Sequence, residues 1–105
     1  MGKPVIVECR ISRSAFSGER VFRATLADGK EHLGAASLIY FSKSDGTPLG
    51  PDEPPPDRQM KGRIVGRIIK EFDNTVFVSL PDGELAELKR SQVGREVPQN
   101  VLVES

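Results

Sequence analysis

Residues 4–11 read PVIVECRI, and apolar side chains alternate along this stretch with side chains of other types. The apolar set that shares one face is Val5, Val7, Cys9 and Ile11. Glu8 and Arg10 take the opposite face. Successive side chains of an extended strand point to opposite sides, so a spacing of two residues is typical of a strand. The pattern therefore predicts a half-buried β-strand.

A second strand and a tight turn follow. Residues 20–26 alternate again, with Arg23 and Thr25 on the outer side. The inward positions are Phe22, Ala24 and Leu26. Asp28-Gly29 is typical of a hairpin turn, because glycine accepts the positive φ that such a turn needs. Lys30 to Leu33 begins the returning strand, and the apolar residues from Leu33 to Phe41 predict a short helical turn that leads into a buried strand.

The last part of the chain has the same character. Lys61 to Phe72 predicts a strand in which Ile64, Ile68 and Phe72 point the same way if Gly66 lies at a bulge. Thr75 to Leu80 predicts another strand, with Val76, Val78 and Leu80 inward. The remaining predicted elements are turns at 73–74 and 81–83, a strand at 85–88, a single 3₁₀ turn at 89–93 and a closing strand at 101–103.

Residues 44–60 separate these two parts and contain five of the eight prolines of the chain. Proline lacks the amide donor and fixes φ, so neither a helix nor a central strand runs through this segment. It carries four acidic side chains and one basic one, whereas residues 1–43 carry seven basic and four acidic ones. We predict a proline-rich acidic linker or long loop. Its PxxP spacings fit a docking motif, but the acidic neighbours and the lack of a flanking arginine favour a spacer.

The parts on either side of this segment match each other. Residues 22–29 align with residues 76–83, and both stretches end in Asp-Gly. One added residue aligns 33–38 with 88–93. We therefore predict an all-β chain of two related antiparallel three-stranded meander halves, 1–43 and 61–105, packed as one compact barrel-type unit. Each half is small for a stable sheet, which favours packing of one against the other.

Residues 62–65, 76–84 and 88–93 read GRIV, VFVSLPDGE and LKRSQV. This order of strand, turn, strand and 3₁₀ turn resembles the SH3-like small β-barrels, in the broad sense that includes KOW and Tudor-type modules. The resemblance covers the second half alone and transfers no ligand-binding residue. The aromatic cage with which Tudor-type modules bind methylated side chains needs several clustered rings. Phe72 and Phe77 alone do not provide one.

Length and composition narrow the classes of protein. The chain has 105 residues with 15 basic and 15 acidic side chains, which fits one domain with no net charge. This balance disfavours a dedicated nucleic-acid binder. No stretch approaches the ~20 apolar residues of a membrane helix, so no membrane partner and a cytoplasmic location are expected. The single cysteine excludes an internal disulfide. Strand edges leave self-association open.

Side chains that could carry chemistry are few. His32 is the only histidine and could act as a general base beside Cys9. Cys9, however, falls on the apolar face of its strand, where thiols usually pack without reacting. These two residues do not complete the ligand set of zinc. Turn chemistry accounts for Asp28 and Asp82. We therefore predict no enzymatic activity, no metal and no cofactor.

Two groups of side chains are candidates for binding a partner. The arginines that follow the predicted strands are Arg10, Arg13, Arg20 and Arg23 in the first half and Arg63 and Arg67 in the second, where Lys61 and Lys70 join them. Placed on one face they could contact phosphates, although a solvated face is the simpler interpretation. The aromatic candidates are Phe16, Tyr40 and Phe41. They could anchor a partner or close the ends of the core.

These observations favour a small binding or scaffolding module that acts through protein–protein contacts and is not an enzyme. The alternative is an RNA-associated or ribonucleoprotein-associated barrel that uses the arginine-rich strand faces. The dependence of binding on salt separates the two hypotheses, because contacts to phosphates weaken steeply as ionic strength rises. Among the basic candidates, Arg10, Arg23, Arg63 and Arg67 are the residues that we expect to contact a partner.

Overall fold

The structure is a computed structural model that describes residues 3–94. The strands are β1 (Pro4–Arg13), β2 (Glu19–Thr25), β3 (Glu31–Ser37), β4 (Phe41–Lys43), β5 (Met60–Glu71), β6 (Thr75–Ser79), β7 (Leu85–Lys89) and β8 (Val93–Gly94). Two 3₁₀ turns, Leu38–Tyr40 and Arg90–Gln92, precede β4 and β8. Both lie where the sequence predicted short turns. No α-helix occurs within residues 3–94, and the strand predicted at 101–103 lies outside the described residues.

All eight strands belong to one antiparallel sheet in the order β3-β2-β1-β5-β6-β7. The two long strands β1 and β5 form its centre and pair from Pro4 opposite Arg67 to Ile11 opposite Met60. The short strands lie off this path, because β4 pairs with β5 and β8 pairs with β1. The sheet curls into a nearly closed barrel, so the predicted all-β, barrel-type fold is confirmed.

Apolar side chains at alternate positions fill the inside of the barrel. The core includes Val5, Val7, Cys9 and Ile11 of β1, Phe22 and Ala24 of β2, Ile64 and Ile68 of β5, Val76 and Val78 of β6, and Ala86 and Leu88 of β7. The inward positions predicted for β1 and β6 are confirmed. Burial of this apolar surface is the main favourable contribution to folding, at about 25 cal/mol per Å².

The barrel closes where the end of β2 approaches β7. The amide of Ala27 donates to the carbonyl of Glu87 over 2.9 Å. Closer to the edge, His32 of β3 hydrogen-bonds the carboxylate of Asp82 in the β6–β7 turn at 2.8 Å, and both side chains are largely buried. A Cβ on Gly34 would lie 2.1 Å from that carboxylate, so glycine leaves the space that the contact occupies.

The connection between β4 and β5 packs against the sheet over part of its length. Leu49 is buried in the core, and the side chain of Pro54 is also fully buried. Pro48 forms an isolated bridge with Ser42. The ammonium of Lys43 lies 2.9 Å from the carboxylate of Glu53. Lys43 and the amide of Gly50 lower the pKa of Glu53, because both contacts favour its ionised form.

The end of β5 differs from the sequence interpretation. The register between β5 and β6 shifts between Ile68 and Lys70, whereas a bulge was expected at Gly66. An extra residue in one strand reverses which side later residues face. Ile68 is therefore buried as predicted, but Phe72 lies outside the core with 41% of its surface exposed. Its ring packs edge-on against Phe77 at 5.4 Å between centroids.

The two Asp-Gly turns have the same local geometry. Gly29 and Gly83 have φ values of 90° and 88°. In each turn the preceding aspartate accepts a hydrogen bond from the amide two residues later. The positive φ explains why glycine stands at both positions. That the two halves form a repeat stays a prediction.

Candidate functional site

A row of cationic side chains crosses three neighbouring strands on the outer face of the barrel. Arg10 of β1 lies opposite Lys61 of β5 on one side and opposite Arg23 of β2 on the other. Leu33 of β3 continues the row, since it lies opposite Arg23. Neighbouring strands lie about 4.8 Å apart, so the three cationic positions span about 10 Å. We call Lys61, Arg10 and Arg23 the cationic row.

The cationic row opposes the stability of the sheet, because like charges directly opposite each other on neighbouring strands repel. Glu31 offsets part of this charge, with its carboxylate 3.4 Å from the Arg23 guanidinium. Both of these side chains are about half exposed, so their pairing is worth little. Within residues 3–94, neither Arg10 nor Lys61 has a carboxylate at ion-pair distance. The arrangement suits a surface that receives an anionic ligand.

A groove with a volume of about 330 Å³ lies over the cationic row. Arg63 also lines it, two residues further along β5 than Lys61 and opposite Glu8. The lining therefore contains four cationic side chains against the two carboxylates of Glu8 and Glu31, and no aromatic ring among the described residues. Guanidinium groups bind carboxylate and phosphate oxygens with charge-assisted hydrogen bonds. The groove therefore presents four cationic side chains of the kind that can bind such oxygens.

The structure brings together three of the four arginine candidates. Arg10, Arg23 and Arg63 line the same groove, although they come from three strands. Arg67 lies further along β5, opposite Pro4 and Ser79, and does not line the groove. Lys61 was not among the residues that the sequence analysis expected to contact a partner. Its parity with Arg63 predicts that it faces outward, but its place beside Arg10 depends on the register between β1 and β5.

Arg20 does not belong to the outer basic face. It is fully buried, and within residues 3–94 its guanidinium donates hydrogen bonds to backbone carbonyls alone. Nε reaches the carbonyl of Glu53 at 2.7 Å, and Nη2 reaches that of Pro51 at 2.8 Å. Nη1 donates to the carbonyls of Ser17 and Glu19 at 2.8 and 2.7 Å. Burial is the main cause that lowers the pKa of Arg20.

Arg13 has a related role. Its Nε donates to the carbonyl of Pro54 at 2.7 Å, next to the loop carbonyls that Arg20 binds. These two arginines therefore do not lie on one outer face with Arg10 and Arg23, which is the arrangement that joint contact with phosphates would need. The alternation of side chains along β2 could have predicted this, because Arg20 is two residues from the buried Phe22 and therefore lies on the same, inward face.

The aromatic candidates separate into two environments. Phe41 is 1% exposed and packs in the core against Phe22, with 5.9 Å between ring centroids. Phe41 therefore closes the core and offers no surface to a partner, so it is not a binding residue. Phe16 in the β1–β2 connection and Tyr40 in the first 3₁₀ turn are exposed, at 69% and 38%. They lie outside the groove.

The catalytic pairing of Cys9 with His32 does not form. Strand β2 lies between them, since His32 pairs with Ala24 and Cys9 lies on β1, about two strand spacings or ~10 Å away. His32 is bonded to Asp82, and Cys9 is buried in the core. Burial raises the pKa of the Cys9 thiol to about 12, so the thiol is protonated at neutral pH.

This burial predicts a loss of stability at alkaline pH. The folded chain holds the Cys9 proton to about pH 12, whereas an exposed thiol releases it near 9.0. The contribution of Cys9 to the free energy of unfolding is therefore complete below pH 9 and falls as pH rises toward 12. Urea unfolding of the wild type and of Cys9→Ala, compared from pH 7 to pH 10.5, measures it. A stability difference that stays constant over this range would contradict the assignment.

Within residues 3–94, no cluster of three histidine, cysteine or acidic side chains is arranged to hold a metal ion. None of the helical segments in this range has the length and apolar character needed to cross a bilayer. Comparison of the chain with protein-family models, with curated proteins and with solved structures finds no match.

Proposed function

We propose that the chain is a non-enzymatic binding module that holds an acidic segment of a partner protein in the groove over the cationic row. The observation that carries this proposal is the cross-strand alignment of Lys61, Arg10 and Arg23. Their mutual repulsion disfavours the unbound state of the surface, and an anionic partner relieves it. Folding gains nothing from this alignment, which supports a role in recognition.

An acidic peptide fits the dimensions of the row. The row spans about 10 Å, and an extended peptide advances about 3.3 Å per residue, so about four residues cover it. Alternate side chains of such a peptide point to the same side. Two carboxylates spaced two residues apart, about 6.6 Å, would therefore reach two members of the row. Arg63 and Ser44 at the groove wall offer further donors.

The lining of the groove favours a protein over a nucleic acid. Surfaces for single-stranded nucleic acids combine a basic track with aromatic rings on which bases stack. This groove has no aromatic lining within the described residues, and Glu8 and Glu31 lie among its side chains. Carboxylates in the lining can instead accept hydrogen bonds from the backbone amides of a peptide. The zero net charge of the chain agrees with this choice.

The resemblance of residues 62–93 to the SH3-like small barrels supports the same class of function. We infer that the barrel is SH3-like from its order of strands followed by a 3₁₀ turn and a short closing strand. Small barrels of this kind offer an outer sheet face and connecting loops to partners. The proposed groove lies on such a face.

Fluorescence anisotropy with a labelled hexaglutamate peptide at low salt tests the proposal. Reversing two charges of the row, in Arg10→Glu with Arg23→Glu, is expected to weaken binding at least tenfold, about 1.4 kcal/mol. Lys30→Glu with Arg58→Glu is the matched control, because it changes the net charge equally at two exposed positions outside the groove. The control is expected to bind within about twofold of the wild type.

Two outcomes would overturn the proposal. Equal weakening by both double variants would show that the peptide responds to overall charge rather than to the groove. Tighter binding of an oligouridine than of the peptide at the same ionic strength would favour the RNA-associated alternative. Circular dichroism of each variant establishes that the fold is retained.

A further inference from the structure

Strand β3 leaves one long side of the sheet without a partner. It ends the strand order and pairs only with β2 among residues 3–94. The amide of Leu26 donates to Lys30 in the preceding turn, which fixes the alternation of bonded pairs between β2 and β3. The residues whose amides and carbonyls point away from β2 are therefore Glu31, Leu33, Ala35 and Ser37.

Strand β7, at the other end of the strand order, has a protected edge. The outer edge of β7 accepts the closing bond from Ala27 at Glu87. Its exposed side chains include the charged Glu87 and Lys89, and charges of this kind discourage the approach of another strand. The edge of β3 has neither proline nor lysine, and its register with β2 has no bulge. Within residues 3–94, the edge of β7 is therefore protected and the edge of β3 is open.

Exposed apolar side chains surround this open edge. Leu33 on β3 is 59% exposed and Ile39 in the turn that follows is 62% exposed. Tyr40 follows Ile39. The amide of Leu38 donates to Gly18, which places the β1–β2 connection with its exposed Phe16 beside the same end of β3. Apolar surface next to an unpaired strand is the combination that pairing with another strand would cover.

We propose that β3 pairs with β3 of a second copy of this chain, antiparallel and centred on Gly34. In that register Leu33 of each copy lies opposite Ala35 of the other, and Glu31 lies opposite Ser37. All outward-pointing amides and carbonyls then find partners, because each outward residue faces another outward residue. No like charges meet. Gly34 has no side chain and Ala35 has only a methyl group, so the two β3 strands can approach each other closely.

The self-complementary register is the reason to choose a second copy over a foreign strand. A chain without net charge also does not repel its own copy. The two-fold axis of such a pair is perpendicular to the sheet, so the outer faces of both copies lie on the same side. The pairing requires no acidic ligand, and its test is independent of the function proposed above.

Sedimentation velocity from about 1 µM to about 500 µM measures the association, because a dimer forms by mass action. The apparent mass of the wild type is expected to rise from 11.5 kDa toward twice that value. Leu33→Lys is expected to weaken the dimer at least tenfold. Leu85→Lys is the matched control, since Leu85 is 62% exposed on β7. It is expected to change the dissociation constant less than about twofold.

A second variant separates pairing of the strand from the loss of one apolar contact. Ala35→Pro removes an amide that points to the open edge and leaves the bonds to β2 intact, so it is expected to abolish the dimer. Thermal unfolding establishes that each variant is folded. A wild type that stays monomeric over the whole range overturns the proposal. So does equal weakening by Leu33→Lys and Leu85→Lys.

Discussion

Arg20→Met is expected to lower the free energy of unfolding by about 3–5 kcal/mol, although methionine fills a similar volume. The wild-type guanidinium is fully buried and donates hydrogen bonds to the carbonyls of Ser17, Glu19, Pro51 and Glu53. Removing the donor takes away the side-chain partner of all four carbonyls. The loop that carries Leu49 and Pro54 into the core then loses its attachment. Urea unfolding followed by circular dichroism measures the change.

The control is Arg23→Met, three residues along the same strand. Arg23 faces outward, and its contact with Glu31 is exposed, so the variant is expected to change the free energy of unfolding by at most about 1 kcal/mol. Arg20→Lys, which keeps the charge but not the planar fork of donors, is expected to fall between the two. Equal stability losses for Arg20→Met and Arg23→Met would contradict the role assigned to Arg20.

Phe22→Ala is expected to cost about 3–5 kcal/mol of stability. The ring of Phe22 is fully buried and lies 5.9 Å from Phe41 and 5.8 Å from His32, measured between ring centroids. It therefore joins β2, β3 and β4 at one point inside the barrel. Truncation removes buried apolar surface and leaves a cavity that the surrounding strands close only in part. Urea denaturation at neutral pH measures the loss.

Phe16→Ala provides the comparison for this substitution, because the same atoms are removed where 69% of the residue is exposed. We expect a change within about 0.5 kcal/mol. If Phe22→Ala were as mild as Phe16→Ala, the barrel interior would not be packed around this ring. If Phe16→Ala were the more damaging of the two, the β1–β2 connection would be part of the core.

The features of the fold that the sequence predicted are those that neighbouring residues determine, namely the strands and the tight turns. The inward set of β1 and that of β6 follow from side chains spaced two residues apart, and both Asp-Gly turns follow from the need for positive φ. The sequence also predicted the 3₁₀ turns before β4 and β8. What these features share is that neighbouring residues determine them.

Features that depend on distant parts of the chain were not predictable in this way. The Arg20 contacts join β2 to residues more than 30 positions away, and a proline-rich acidic segment has no local signal for where it packs. The exposure of Phe72 depends on a register shift opposite β6. Alternation fixes the side on which a residue lies but not its neighbour on the next strand.

The candidate groove illustrates the same limit. The alternation of side chains along each strand placed Arg10, Arg23 and Arg63 on the outer face. Their meeting with Lys61 depends on the pairing of β1 with both β2 and β5, which is visible only in the sheet. Phe41 shows the reverse case, because nothing in its local sequence separates a ring that closes a core from a ring that anchors a partner.

Each of the two short strands pairs with a long strand from the other part of the chain, and this arrangement has a consequence for folding. Strand β4 follows the first meander but lies on β5, and β8 follows the second meander but lies on β1. Even the nearest residues paired between β1 and β5 are about 50 positions apart in the chain, so a large loop must close before the central ladder forms. Hairpin formation alone therefore cannot commit the chain to this fold. We therefore expect the encounter of the two meanders to limit the rate of folding, and the barrel to unfold in one cooperative step.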